Sequence, residues 1–155
     1  MATYVDEVLQ PGETVRYSGT LHWIIFLPGI ALLAFGVAGL AAMVTMNAGY
    51  SFHVYSMLVY FALAIGAVQL LSAWVLRLTT EIAVTDRRVI YKTGLVSRRS
   101  VEMNMDKVES VDVTQDVFGR LFDYGTVLIR GTGAGLEPLS NIASPVALRN
   151  AITAR

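Results

Sequence analysis

The sequence predicts an α+β membrane protein: a transmembrane helical hairpin, then an antiparallel β domain closed by a C-terminal helix. Three observations predict it. Two long apolar runs, 24–46 and 54–76, contain no Asp, Glu, Lys or Arg. From Arg77 onward the hydrophobic period shortens to two, the signature of half-buried strands. Near the end, Ser144-Pro145 opens a segment in which Leu148, Ala151 and Ile152 form one helical stripe.

The two runs are the element around which the rest is arranged. A helix rises about 1.5 Å per residue, so runs this long cover the roughly 30 Å hydrocarbon core of a bilayer. Helices satisfy their own backbone hydrogen bonds there. A chain of 155 residues is too short to wrap both in a water-soluble core. The connector 47–53 is too short to do more than turn, so the spans form an antiparallel hairpin with both termini on one side. Arg16 precedes the first span and Arg77, Arg87, Arg88 and Lys92 follow the second, while the connector has no Lys or Arg. The positive-inside rule then makes both termini cytoplasmic. Trp23 and Trp74 sit near that side, and Tyr50, Phe52 and Tyr55 near the other, as in an aromatic belt. The first span is too long for a signal peptide and lacks its basic n-region, so its retention is expected.

Three segments follow: a lead-in 1–22, the hairpin 23–76 and a β domain 77–155. Net charge is zero overall, and the β domain holds eleven Lys and Arg against nine Asp and Glu. That balance is too mild for nucleic-acid binding. Cysteine is absent, so there is no disulfide framework or thiolate metal site.

In the lead-in, Gln10-Pro11-Gly12 signals a turn, and 13–20 alternates as a short strand able to pair with the β domain. After the hairpin, Leu78, Thr80, Ile82 and Val84 alternate with polar neighbours as a first strand. A turn at 85–88 leads to a strand over 89–93, then strands follow around 101–105 and 111–113. An apolar excursion at 117–122 reads as a turn of helix or a loop. A strand over 126–130, a glycine turn and a return at 136–139 complete the set. Val111, Val113, Val127 and Ile129 are the expected inward-facing core, and Ser144 the expected N-cap of the last helix.

The constellations are few. Gly131 to Gly135 reads GTGAG but lies between strand-like segments without Gly-Lys-Ser/Thr, so a hairpin turn fits better than a phosphate loop. His22 and His53 flank opposite ends of the hairpin and share no site. No cofactor, metal or catalytic residue is expected, because no nucleophile–base pair stands out and the acidic residues fall on polar strand faces. Arg87, Arg88, Lys92, Arg98 and Arg99 are the most basic patch, a candidate for anionic lipid beside ordinary positive-inside topology. Ala34, Gly36, Ala38, Gly39 and Ala42 in the first span, and Ala62 and Gly66 in the second, suit close helix packing within the hairpin or between copies. Gln69, the one strongly polar residue in the second span, is expected to hydrogen-bond between helices rather than to line a transport path.

Residues 81–133, with TDRRVIYKTGLV (85–96), DKVESVDV (106–113) and GRLFDYGTV (119–127), resemble the bacterial pleckstrin-homology (PH) domain family. The lead-in LQPGETVRYSGTLHW (9–23) before a two-span hairpin is similar to the same family. The resemblance implies a partly open antiparallel barrel of seven strands with a C-terminal helix. The pattern gives six strands after the hairpin; the seventh is either a split strand or 13–20. It also implies a non-enzymatic, membrane-associated interaction or assembly module in the bacterial inner membrane, with membrane lipids as partners and a homo-oligomer or an unidentified protein partner expected. The alternatives are an oligomeric pore or transport accessory, and an anionic-lipid sensor.

Overall fold

The computed structural model describes residues 4–45, 50–94, 99–132 and 138–154. The chain divides into two compact units, Trp23–Val75 and the remainder, Met1–His22 with Leu76–Arg155.

In the first unit a 3-10 turn at Trp23–Phe26 leads into α2 (Leu27–Met43), and α3 (Tyr50–Thr79) returns antiparallel. Both helices are long and apolar enough to cross a membrane. Glycine makes their close approach feasible. Gly29 lies against Leu70, Gly36 against Leu63, Gly39 against Val59, and Gly66 against Leu33, one continuous antiparallel register. A Cβ at Gly36 would stand 2.5 Å from the Leu63 side chain. The Tyr55 hydroxyl donates to the Gly39 carbonyl at 3.1 Å. Gly36 and Gly39 therefore belong to the seam of the hairpin itself, as does the half-buried Ala62. Ala34, Ala38 and Ala42 are exposed, because α2 turns a different face to α3. Gln69 is exposed as well, on the flank of α3 rather than in the seam, so the expected hydrogen bond between the two helices gives way to an outward amide. Phe35, Phe61, Met57 and Val68 project outward too, each about two-thirds exposed or more.

The second unit is built from two antiparallel sheets. In the first, β1 (Val15–Gly19), β2 (Glu81–Thr85), β3 (Arg88–Thr93) and β4 (Arg99–Asn104) pair in that order. In the second, β5 (Val108–Thr114), β6 (Tyr124–Gly131) and β7 (Leu139–Ala143) pair in order. A 3-10 turn at Met105–Lys107 joins them on one side. On the other side Leu21 bridges Ile142, His22 N–H donates to the Asn141 carbonyl at 2.7 Å, and Ala143 N–H to the Thr20 carbonyl at 3.0 Å. The result is a partly open barrel of seven strands, and 13–20 supplies the seventh. Val127, Ile129, Leu139 and Ile142 meet Ile82, Val84 and Val89 inside, and α5 (Pro145–Thr153) closes the core with Leu148 and Ile152.

Several expectations are corrected here. The first strand after the hairpin does not begin at Arg77: α3 continues through Thr79, Thr80 N–H still bonds the Leu76 carbonyl, and β2 starts at Glu81. Leu78 lies in the last turn of α3 and Thr80 directly follows it, so the period of two holds only from β2 onward. Val111 and Val113 do share the inward face, opposite the buried Ile129 and Val127, but they are only half-buried, because β5 has only β6 beside it within its sheet. The return near 136–139 is a strand displaced toward the C-terminus, and residues 133–137, with most of the glycine turn, lie outside the described residues. The excursion at 117–122 is a helix, α4 (Val117–Phe122). Ser144 sits at the N-cap of α5 with φ of 50° and makes no side-chain cap; its hydroxyl bonds the Asp123 carboxylate instead.

One element had no counterpart in the sequence reading: α1 (Tyr4–Val8) in the lead-in. A helix this short does not hold by itself. Val5 packs on Ala83 and Ile90, the outer face of the first sheet, flanked by Tyr4, Val8 and Leu9. That is why β2 is buried on both faces rather than alternating.

Candidate functional site

The basic residues singled out in the sequence lie along the β2–β3–β4 part of the barrel. Thr85 ends β2, and its hydroxyl accepts from the Arg87 and Arg88 amides at 3.2 and 2.9 Å, forming the tight turn. Arg88 then points back under the lead-in. Its Nε and Nη2 donate to the two Glu13 carboxylate oxygens at 2.9 and 2.8 Å, a bidentate pair. Nη1 reaches Glu102 on β4 at 2.6 Å, and Nη2 also donates to the Val8 carbonyl at 2.7 Å. Glu13 further accepts from the Thr85 hydroxyl at 2.7 Å and from the Gln10 amide at 2.9 Å. The Glu13 side chain is fully buried and that of Arg88 11% exposed. An acidic residue expected on a solvated face is thus the centre of a buried cluster.

The electrostatics follow from these bonds. Arg88 holds the Glu13 carboxyl down from 4.5 to about 2, against the opposing effect of burial and helped by the Gln10 and Thr85 donors. Glu13 in turn pushes the Arg88 guanidinium up. A carboxyl with a lowered folded-state pKa stabilises fully above its unfolded value. That contribution is lost as pH falls through 4.5 toward 2. The melting temperature of the wild type should fall across that window more steeply than that of Glu13→Gln. Parallel slopes in thermal melts of the two proteins would show that Glu13 is not the titrating group.

Lys92 is occupied in a similar way. It pairs with Glu81 at 3.2 Å and stands 4.6 Å from the centre of the Tyr4 ring. Arg88 and Lys92 therefore fasten α1 and the lead-in onto the sheet. Arg87 is exposed and lines an open groove of about 400 Å³ with Gln10, Asp86, Arg88, Asn104, Met105 and Asp106. Two carboxylates in that lining offset its positive charge. Arg99 is exposed at the start of β4, and Arg98 lies outside the described residues.

The strand register shows that the patch is not one site. Arg88 pairs with Asn104 and Thr93 with Arg99, so Arg87 and Arg99 stand at opposite ends of the β3–β4 hairpin. Glu81, one residue after the link Thr80 that follows α3, pairs with Lys92. Hence the Arg99 end is where the chain enters the domain from α3. The Arg87 turn is four residues along β2, roughly 13 Å at about 3.3 Å per residue.

Sequence reasoning missed Glu13, Thr85 and Glu102 as partners of Arg88. The pairs span up to 75 residues of sequence and carry no local periodic signal. It also missed that α4 leaves Val117, Phe118 and Leu121 open, at 80%, 63% and 73% exposure. Among the described residues no group of three His, Cys, Asp or Glu side chains is placed to hold a metal ion.

A family model described as a bacterial PH domain matches residues 24–155. No curated protein and no solved structure matches the chain. PH domains are typically non-catalytic interaction modules that bind lipids or proteins. The matched range takes in both apolar helices and every strand except β1, and the barrel with its closing helix is the architecture that the motifs at 85–96 and 119–127 imply; the chain belongs to the bacterial PH domain family.

Proposed function

We propose that the protein is a membrane-anchored, non-enzymatic interaction module: the α2–α3 hairpin spans the bacterial inner membrane and carries the PH-like domain on its cytoplasmic side. The observation that carries this reading is the outward surface of the hairpin. Large apolar side chains such as Phe35, Phe61 and Val68 are exposed along both helices, and a bilayer is the solvent that favours them. The excess of Lys and Arg outside the connector supports this orientation.

A cysteine introduced at Ser51 should react with an impermeant thiol reagent on intact cells, and one at Ser140 should react only after lysis. The reverse pattern would sink the orientation, and equal protection of both would sink the hairpin.

Two finer readings rest on particular residues. Self-association is favoured by the outward Ala34, Ala38 and Ala42, which permit close approach of a second hairpin, and by the outward Gln69 amide, which gains from a hydrogen bond in lipid. Anionic-lipid contact is favoured at Arg99 by its exposure and its place at the chain-entry end of the barrel.

A further inference from the structure

The feature that the proposed anchoring does not use is α4. It is only six residues long, yet it is fixed in place. The Asp116 carboxylate caps it by accepting from the Gly119 amide. The Gln115 side chain donates to the carbonyls of Gly119 and Tyr124 at 3.1 and 3.0 Å, and Asp123 ends it in the left-handed conformation with φ of 57°. Gly119 is obligatory at the buried side, where a Cβ would stand 2.6 Å from the Tyr124 carbonyl oxygen. All this scaffolding holds Val117, Phe118 and Leu121 outward. A rigid cluster of exposed aromatic and aliphatic side chains on a small domain marks an interaction surface.

Its place in the domain says what it meets. Tyr124, the residue that opens β6 directly after α4, stacks on the His22 ring at 5.3 Å between centroids. His22 is the last residue of the domain before Trp23, where the apolar helices begin. Tyr124 also pairs with Ala143, whose amide bonds the Thr20 carbonyl. The second crossing leaves from the same side, because Gly19 at the end of β1 pairs with Ile82 at the start of β2. So α4 stands at the end of the barrel from which the chain departs in both directions. Charge agrees with this. Arg120 is exposed within α4, while Asp116 and Asp123 direct their carboxylates to Gly119 and Ser144. Apolar side chains with a neighbouring Arg suit the boundary between acyl chains and anionic headgroups.

We infer that α4 is an interfacial membrane foot: Val117, Phe118 and Leu121 enter the headgroup–acyl boundary of the same bilayer that the hairpin spans, with Arg120 reaching the headgroups. The inference rests on the anchoring proposed above. Tethering at both crossings keeps that lipid surface at high local concentration beside α4, which a free partner protein would not match.

The chain has no cysteine, so single cysteines report without background. The full-length protein carrying Phe118→Cys, Leu121→Cys, Asp112→Cys or Val68→Cys, each labelled with an environment-sensitive fluorophore, would be reconstituted in phosphatidylethanolamine–phosphatidylglycerol vesicles. Labels at Phe118 and Leu121 should be blue-shifted, quenched by spin-labelled lipid, and several-fold less quenched by aqueous iodide than the label at exposed Asp112. Iodide quenching at Phe118 and Leu121 equal to that at Asp112 would overturn the inference while leaving the anchoring intact, provided that Val68 is lipid-quenched. Labels shielded from iodide and from lipid alike would also overturn it, since a protein surface would then cover α4. Loss of lipid quenching at Val68 would remove the anchoring reading and the inference together.

Discussion

Arg88→Ala should destabilise the β domain by about 3–5 kcal/mol, the usual result of removing one member of a buried ion pair. The Glu13 carboxylate would stay buried with the Gln10 amide and Thr85 hydroxyl but without a positive charge, and its folded pKa would rise. The loss is a large fraction of the 5–15 kcal/mol that ordinarily holds a domain together. The Val8 carbonyl and Glu102 would lose the same donor, so α1 should detach and residues before Glu13 become open to proteolysis. The effect belongs to breaking the pair, not to its absence. Replacing both partners, as Glu13→Leu with Arg88→Met, should recover most of the stability, because apolar replacements of buried ion pairs are often neutral or better. Thermal unfolding in mild detergent reads both variants. An Arg88→Ala protein that melts with the wild type would show that water already solvates Glu13.

Gly36→Leu should part the hairpin. A Cβ alone at this position meets Leu63 Cδ2 at 2.5 Å and Cγ at 2.6 Å, and the remaining atoms of a leucine have nowhere to go while the seam stays closed. In the bilayer proposed for the hairpin the loss matters more than in water, since the helices would gain little from hydrophobicity on meeting and would depend on close contact. Overpacking of this kind costs about 1–3 kcal/mol, so a tenfold loss of the closed form is the expected order. Cysteines at Leu33 and Gly66, which touch across the seam, should cross-link in the parent and about tenfold less once Gly36→Leu is added. Unchanged cross-linking would mean that the helices re-register around the new side chain. Because Gly36 and Gly39 are consumed within the hairpin, they do not test self-association; the outward Ala38→Leu does, by lowering the particle mass if copies meet on that face.

The two long apolar helices, their antiparallel return, the helix at the C-terminus and six strands after the hairpin were legible in the sequence for local reasons, whereas the seven-strand barrel came from the family resemblance. Uncharged runs of bilayer length, a shift of period from helix to strand, and Pro after a small polar residue are signals that neighbouring residues carry among themselves. The family motifs at 85–96, 106–113 and 119–127 lie within the matched range for the same reason. What tertiary structure alone decided lies in contacts between distant segments. The helix at Tyr4–Val8 exists because Val5 finds Ala83 and Ile90, not through its own propensity. Arg88 looked like a lipid-facing cation because its partners, Glu13 and Glu102, lie on two other elements. The same packing divided the glycines from the alanines of α2: residues on one span offer several faces, and only the partner helix determines which face becomes the seam. The apolar excursion at 117–122 was visible, but whether Phe118 faced the core or the outside depended on Asp116, Gln115 and Gly119 locking α4 against the start of β6. A sequence fixes which side chains are apolar; the fold decides which of them have neighbours.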